Sequence, residues 1–158
     1  MAQRRRPVLG WREWVGLPEL GIGAIKAKVD TGARTSAIHA EDVRTYTRAG
    51  RERVSFTVHP VQHSQRKSVR ARSALVGTKR VRDSSGRVTE RPTIETDLVV
   101  GHTRVPIELT LIDRDEMGFR MLLGRQAVAK RFWVDPGRSF LVGHAAGLNS
   151  HARRRRSP

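Results

Sequence analysis

Residues 25–33 read IKAKVDTGA and combine the pattern of a strand with a turn that carries a carboxylate. Ile25, Ala27 and Val29 alternate with two lysines, which is typical of a β-strand with one buried face. Asp30 ends this strand and is expected to project into whatever cleft the fold leaves open. Thr31 can hydrogen-bond to neighbouring backbone through its hydroxyl, and Gly32 permits a tight turn with close backbone approach. Alone, Asp-Thr-Gly also fits an ordinary turn after a strand.

The same two-residue alternation recurs along the chain. It predicts a strand over 54–58 and a hairpin of strands 94–100 and 105–111 around Gly101 and His102. A second hairpin is expected around the turn 83–86. Pro106 cannot donate a backbone hydrogen bond, so its strand should lie at an edge or a bulge there. Many short strands with regular turns predict an all-β barrel or sandwich.

A second signal lies some 90 residues after Asp30. Leu122 and Leu123 form an apolar pair, followed by Gly124 and Arg125, and this pattern fits a strand passing behind the Asp loop. Residues 125–132 are predicted to be the one helix of the chain, with a turn at 135–137. The chain should then end in a short strand over 139–142.

These two motifs, in this order in an all-β chain, resemble the retropepsin-like aspartic peptidases. More closely, the chain is similar to a bacterial family of retropepsin-like endopeptidases that has also been labelled ATP-dependent zinc proteases. The resemblance also rests on segments 10–15, 17–20, 35–40, 91–92 and 113–120. It covers roughly residues 9–143 and implies a closed acid-protease barrel with one short C-terminal helix. The flanking segments 1–8 and 144–158 are expected to be disordered basic tails.

The resemblance implies an aspartic endopeptidase acting on a peptide or protein substrate, with Asp30, Thr31 and Gly32 as catalytic residues. Such enzymes need two carboxylates that share one proton. The chain holds one Asp-Thr-Gly and is too short for two lobes, so the second Asp30 would come from a twin subunit in a homodimer. Two further groups are expected to bind substrate or to support the loop: Ala33, Ser84, Ser85 and Gly86 on the substrate side, and Leu122, Leu123, Gly124 and Arg125 behind the loop.

Several classes of site are excluded or disfavoured by what the sequence lacks. Without cysteine there is no disulfide framework and no thiolate metal site. No Walker loop and no H-E-x-x-H motif is present, so we predict neither a cofactor nor a metal. The longest apolar runs fall well short of the ~18 residues of a membrane span. The start of the chain has no apolar stretch behind its arginines. We therefore expect a cytoplasmic protein without membrane contact.

The charge is strongly positive, with 31 Lys and Arg against 15 Asp and Glu, for a net +16. Seven of the arginines lie in the tails, which could touch polyanions non-specifically. Arginines around the 83–86 turn would favour an acidic substrate. Two alternatives to the peptidase stay open: a catalytically idle retropepsin-fold module for dimerisation or peptide binding, and a basic nucleic-acid-binding β-barrel. The basic stretch 61–82 holds no aromatic residue for base stacking, which disfavours the second alternative.

Overall fold

A computed structural model describes residues 5–61, 67–82, 84–113 and 118–142. Within these ranges the chain forms strands and two single helical turns. The strands are β1 Val8–Gly10, β2 Arg12–Leu17, β3 Ile22–Val29, β4 Ser36–His39, β5 Glu41–Arg48, β6 Arg51–Val58, β7 Val69–Ala74, β8 Gly77–Arg82, β9 Val88–Val100, β10 Thr103–Ile112, β11 Met121–Leu123 and β12 Trp133–Asp135. A 3₁₀ turn spans Pro18–Leu20, and the α-helix α1 spans Arg125–Val128.

The main sheet closes on itself. Its strand order is β10-β4-β11-β3-β2-β9-β8, and β9 also pairs with β10, which joins the two sides into a barrel. The strands β5, β6 and β7 form a separate three-stranded sheet, and β1 pairs in parallel with β12. The all-β prediction, with a closed barrel and one short helix, is confirmed.

The buried face of each strand forms the core. In β3 the alternation puts Ile25 and Ala27 at 0% exposure, and β6 buries Val54, Phe56 and Val58 in the same way. Burial of such side chains contributes about 25 cal/mol per Å² of apolar surface removed from water. The period-two pattern therefore predicts both the strands and the core they share.

The order of three strands places the Asp loop over β11. Strands β3 and β4 are consecutive in the chain, yet β11 lies between them, parallel to β3 and antiparallel to β4. Leu123 pairs with Val29 at the end of β3, directly before Asp30. The expected passage of residues 122–124 behind the loop is what the structure shows.

Both hairpins form as expected. Thr103 pairs with Val100 across the turn at Gly101 and His102, and β8 pairs with β9 around the 83–86 turn. Pro106 pairs with β9 on one side, whereas pairing of β10 with β4 begins only at Leu109. The prediction that Pro106 lies at a sheet edge is confirmed.

Two local predictions near the C-terminal end were wrong. The helix ends at Val128 instead of reaching Phe132, because Ala129 leaves the helical conformation and Lys130 has a φ of 68°. Residues 139–142 form no strand. The backbone N–H groups of Leu141 and Val142 donate to the side chain of Glu13 instead of to a neighbouring strand.

Other expectations concern residues on which the structure is silent. Asp83 and residues 144–158 lie outside the described ranges, as do residues 1–4 of the N-terminal tail. Val8, the last residue of the expected N-terminal tail, begins β1, and the assignment of the rest of both tails stays a prediction. Among the described helices, none is long and apolar enough to cross a membrane.

Candidate active site

Asp30 opens a tight turn directly after β3. Its backbone N–H donates to the carbonyl of Leu123 at 2.8 Å, which ties the loop to β11. Its carboxylate Oδ1 accepts the backbone N–H of Gly32 at 3.1 Å, and its carbonyl accepts the N–H of Ala33 at 3.2 Å. This is an Asx turn, in which the side chain of Asp30 stabilises the loop by accepting a hydrogen bond from the backbone two residues later. A Cβ at position 32 would lie 3.3 Å from Oδ1, so glycine suits this close approach.

The loop presents its carboxylate outward. Asp30 is half-buried, while Thr31 and Gly32 are exposed. Within the described part of the chain, Asp30 forms no ion pair. One carboxylate oxygen is oriented by Gly32, and no Lys or Arg side chain among the described residues forms an ion pair with the group. It is thus placed to meet a second carboxyl group or a water molecule.

The start of α1 supports the loop from below. The guanidinium of Arg125 donates to the carbonyls of Thr31 at 3.0 Å and Gly32 at 3.1 Å. The backbone N–H of Arg125 donates to the carbonyl of Ala33, and that of Gln126 to Arg34. Arg125 therefore contacts the backbone of the loop, and no ion pair joins it to Asp30.

Gly124 allows this contact. A Cβ at position 124 would lie 2.5 Å from the backbone carbon and oxygen of Thr35, a distance that no side chain can occupy. Its backbone N–H donates to the buried Ser36 Oγ at 3.1 Å. Ser36 was missed by the sequence analysis, since a lone serine at a strand start gives no signal. Leu123 is buried and Leu122 half-buried in β11.

The hairpin tip lies on a different element. Ser84, Ser85 and Gly86 are exposed at the end of the β8–β9 hairpin, and Gly86 has a φ of 85° that favours glycine. The structure joins the Asp loop to residues 123–126 by hydrogen bonds. The substrate contact of the tip and of Ala33 stays a prediction.

The chain matches the family described as RimB-like, retropepsin-like aspartic endopeptidase RimB, over residues 8–144. It belongs to this family. The segment that matches includes the Asp loop, β11 and Arg125, so all the predicted catalytic and supporting residues lie inside it.

Curated relatives carry a different name. The chain is 43% identical over 141 residues to a probable alpha-L-glutamate ligase of Shewanella pealeana, and 44% identical over 141 residues to one of Desulfotalea psychrophila. These matches cover 89% of this chain but only 31% and 30% of those proteins. The chain thus spans about a third of the curated relatives it matches.

The fold also occurs in a solved structure. A crystal structure of a Legionella pneumophila protein of unknown function superposes with a TM-score of 0.70 at 24% identity. The match covers 88% of this chain and 100% of that one. It supports the shared fold.

A second titratable cluster lies away from the Asp loop. Glu41 contacts His59 Nε2 at 2.9 Å and His39 Nε2 at 3.4 Å, and both histidines are buried. These hydrogen bonds, that from His59 foremost, hold the pKa of Glu41 below its ordinary value. In the described ranges, no group of three or more His, Cys, Asp or Glu side chains is placed so that it could hold a metal ion.

Proposed function

We propose that this chain is an aspartic-type endopeptidase whose catalytic pair consists of Asp30 from each subunit of a homodimer. The observation that supports it best is the Asp loop itself. Its carboxylate is oriented by Gly32, its carbonyls are held by Arg125, and Thr31 and Gly32 stay exposed. A loop so fixed and yet uncovered suits close approach to its own copy across a two-fold axis.

The proposed chemistry needs both copies of Asp30. Two carboxyl groups about 3 Å apart cannot both ionise, so the pair holds one proton. The ionised member takes a proton from water as that water attacks the peptide carbonyl, and the protonated member polarises the carbonyl. It then donates its proton to the leaving amine. Thr31 would contact its counterpart at the axis, and Gly32 and Ala33 would shape the loop beside the substrate.

The hairpin of β8 and β9 is the proposed flap, with Ser84, Ser85 and Gly86 closing over the substrate. Arg80 and Arg82 are exposed on β8, near this tip. They would attract acidic side chains of a bound peptide. The relatives' name also favours an acidic substrate, because an alpha-L-glutamate ligase is named for its action on glutamate. We therefore propose a glutamate-rich peptide as the substrate.

A second candidate function comes from the relatives' architecture. The chain matches about a third of proteins that are named for ligation, not for hydrolysis. In them, the matching part could serve as a dimerisation or peptide-binding module with no catalysis of its own. Such a module would bind the same acidic peptides but would leave them uncut.

A cleavage assay separates the two functions. The full chain is incubated across pH with a peptide library that includes glutamate-rich members, beside Asp30→Asn. We expect cleavage by the wild type and a loss of at least ~10³-fold in kcat for the variant, as for removal of a catalytic acid–base group. Wild-type cleavage that survives in Asp30→Asn would refute the catalytic role, and binding without any cleavage would favour the idle module.

The chain offers a matched control for this variant. Asp135 forms the same kind of turn, with its Oδ1 accepting the backbone N–H of Gly137 at 3.0 Å. Asp135→Asn removes a turn carboxylate of similar geometry on a different strand, β12. It should keep wild-type kcat. Native mass measurement adds a further test, because the proposal requires an active species of twice the 17.8 kDa chain mass.

A further inference from the structure

The three-stranded sheet carries six arginines on one face. Directly opposed residues of antiparallel strands project from the same side, and the register aligns two rows: Arg44, Ser55 and Arg72, and then Tyr46, Arg53 and Ala74. Arg48 opposes Arg51, and Arg70 opposes Thr57. The other side of β6 faces the core. We call the set Arg44, Arg48, Arg51, Arg53, Arg70 and Arg72 the arginine face.

Only part of this charge is balanced within the described residues. Asp42 pairs with Arg44 at 3.0 Å and with Arg70 at 3.2 Å, and Arg70 also donates to Ser55 and Thr57. The side chains of four members of the face form no hydrogen bond or ion pair with any residue that the structure describes; these are Arg48, Arg51, Arg53 and Arg72. Their donors are therefore available to an external anion.

The arrangement is unfavourable without such an anion. Arg48 lies directly opposite Arg51, and like charges at opposed positions destabilise a strand pair. Arg51 and Arg53 follow each other along β6 at a spacing of about 6.7 Å, the repeat of one strand face. A linear polyanion laid across the sheet would neutralise several guanidinium groups together.

The chemistry of the face favours a nucleic acid. Guanidinium groups bind phosphate through paired donors, which makes arginine the preferred residue for such contacts. Tyr46, the single tyrosine of the chain, lies opposite Arg53 on the same side and is half-exposed. An aromatic ring among phosphate-binding groups is typical of sheets that stack unpaired bases.

We propose that the arginine face binds the phosphodiester backbone of a single-stranded nucleic acid, with Tyr46 stacking on a base. This surface lies on a different sheet from the Asp loop and goes beyond the proposed peptidase activity. Within segment 61–82, which the sequence analysis found to lack aromatic residues, β7 supplies two of the arginines. The aromatic ring comes from β5, and the fold brings the two together.

Fluorescence anisotropy with the full chain tests the proposal. The probes are labelled single strands of about 12 nucleotides, one RNA and one DNA of the same sequence. The test variant replaces four arginines by glutamine, at positions Arg48, Arg51, Arg53 and Arg72. The matched control makes the same change of charge elsewhere, at Arg5, Arg104, Arg131 and Arg138, which are all exposed.

We expect the test variant to lose at least about tenfold in affinity, and its slope of log K against log salt to become shallower by about 3. The control should keep most of its affinity. Tyr46→Ala should lose about fivefold, whereas Tyr46→Phe should keep the stacking. Binding of either probe would support a backbone site. Tighter binding of one probe would identify RNA or DNA as the preferred nucleic acid, and equal binding would show that the site does not contact the 2′-hydroxyl.

Three results would overturn the proposal. Equal losses in the test and control variants would show a response to net charge alone. Loss of all binding on changing Arg153–Arg156 to glutamine, with no effect of the test variant, would assign binding to the tail. Displacement of the oligonucleotide by polyglutamate of equal charge would assign the face to acidic protein segments. Circular dichroism checks that each variant folds, and Asp30→Asn should bind like the wild type.

Discussion

Glu13 is buried at 0% exposure, and its carboxylate joins the two ends of the described chain. Its Oε2 accepts the backbone N–H groups of Gly10 at 3.1 Å and Leu141 at 2.8 Å, and its Oε1 accepts that of Val142 at 3.0 Å. We predict that Glu13→Gln, which keeps the shape of the side chain, destabilises the protein and releases residues 141–142.

The size of the effect follows from the three bonds. Hydrogen bonds to a charged group contribute about 1 kcal/mol more than neutral ones, so the three lose about 3 kcal/mol together. In the variant, the amide NH₂ must also face one N–H donor. Removing a buried charge offsets part of this loss. We expect a net fall of about 2 kcal/mol in the free energy of unfolding, or a Tm lowered by about 4–8 °C.

Denaturant unfolding, with the m-value checked for constancy, measures the change. Glu52→Gln is the control, since Glu52 is an exposed glutamate on β6 and should stay within about 0.5 kcal/mol of the wild type. Hydrogen exchange provides a local readout. The amides of Leu141 and Val142 should lose protection before those of the barrel strands. A Glu13→Gln protein as stable as the control, with both amides still protected, would refute the role of this carboxylate.

Two further predictions concern the Asp loop and the histidine cluster. Gly124→Ala places a Cβ 2.5 Å from the backbone of Thr35 and should lower the free energy of unfolding by about 1–3 kcal/mol. The control is Gly23→Ala, which has open space around it and should lower the free energy of unfolding by less than half as much. Equal losses in the two variants would contradict the close contact at Gly124. The pKa of Glu41 is lowered in the folded state, mainly by His59, so its stabilising contribution is present above the ordinary value of 4.5 and is lost as pH falls through the folded pKa. Glu41→Gln should therefore flatten the fall in Tm below pH 4.5, and an unchanged pH profile would show that the cluster contributes nothing.

The strands could be predicted because their signal is local. Alternation of apolar and polar residues determines which side of a strand is buried, whatever strand lies beside it. Ile25 and Ala27 in β3 illustrate this, as do the two hairpins. The turn at Asp30 was predictable for the same reason, since its hydrogen bonds to Gly32 and Ala33 stay within four residues.

The C-terminal part could not be predicted because its partners are remote in sequence. The alternation near Leu141 resembles a strand, but the backbone donors there bind Glu13, which lies 128 residues earlier. The sequence predicts that the helix after Gly124 continues to Phe132. In the structure the chain turns at Lys130, and Phe132 is nevertheless buried. A local sequence pattern contains no information about a contact between residues so far apart in the chain.

The candidate site also has features that the sequence predicts and features that depend on the tertiary structure. The sequence alone determined a carboxylate on a glycine turn after a strand, and an apolar strand with a glycine and an arginine much later in the chain. Only the tertiary structure decided that β11 lies between β3 and β4, so that Arg125 reaches the carbonyls of Thr31 and Gly32. It also decided that arginines from three strands share one face with Tyr46. The physical reason is that turns and strand faces depend on neighbouring residues, whereas strand order and register depend on which distant surfaces exclude water together.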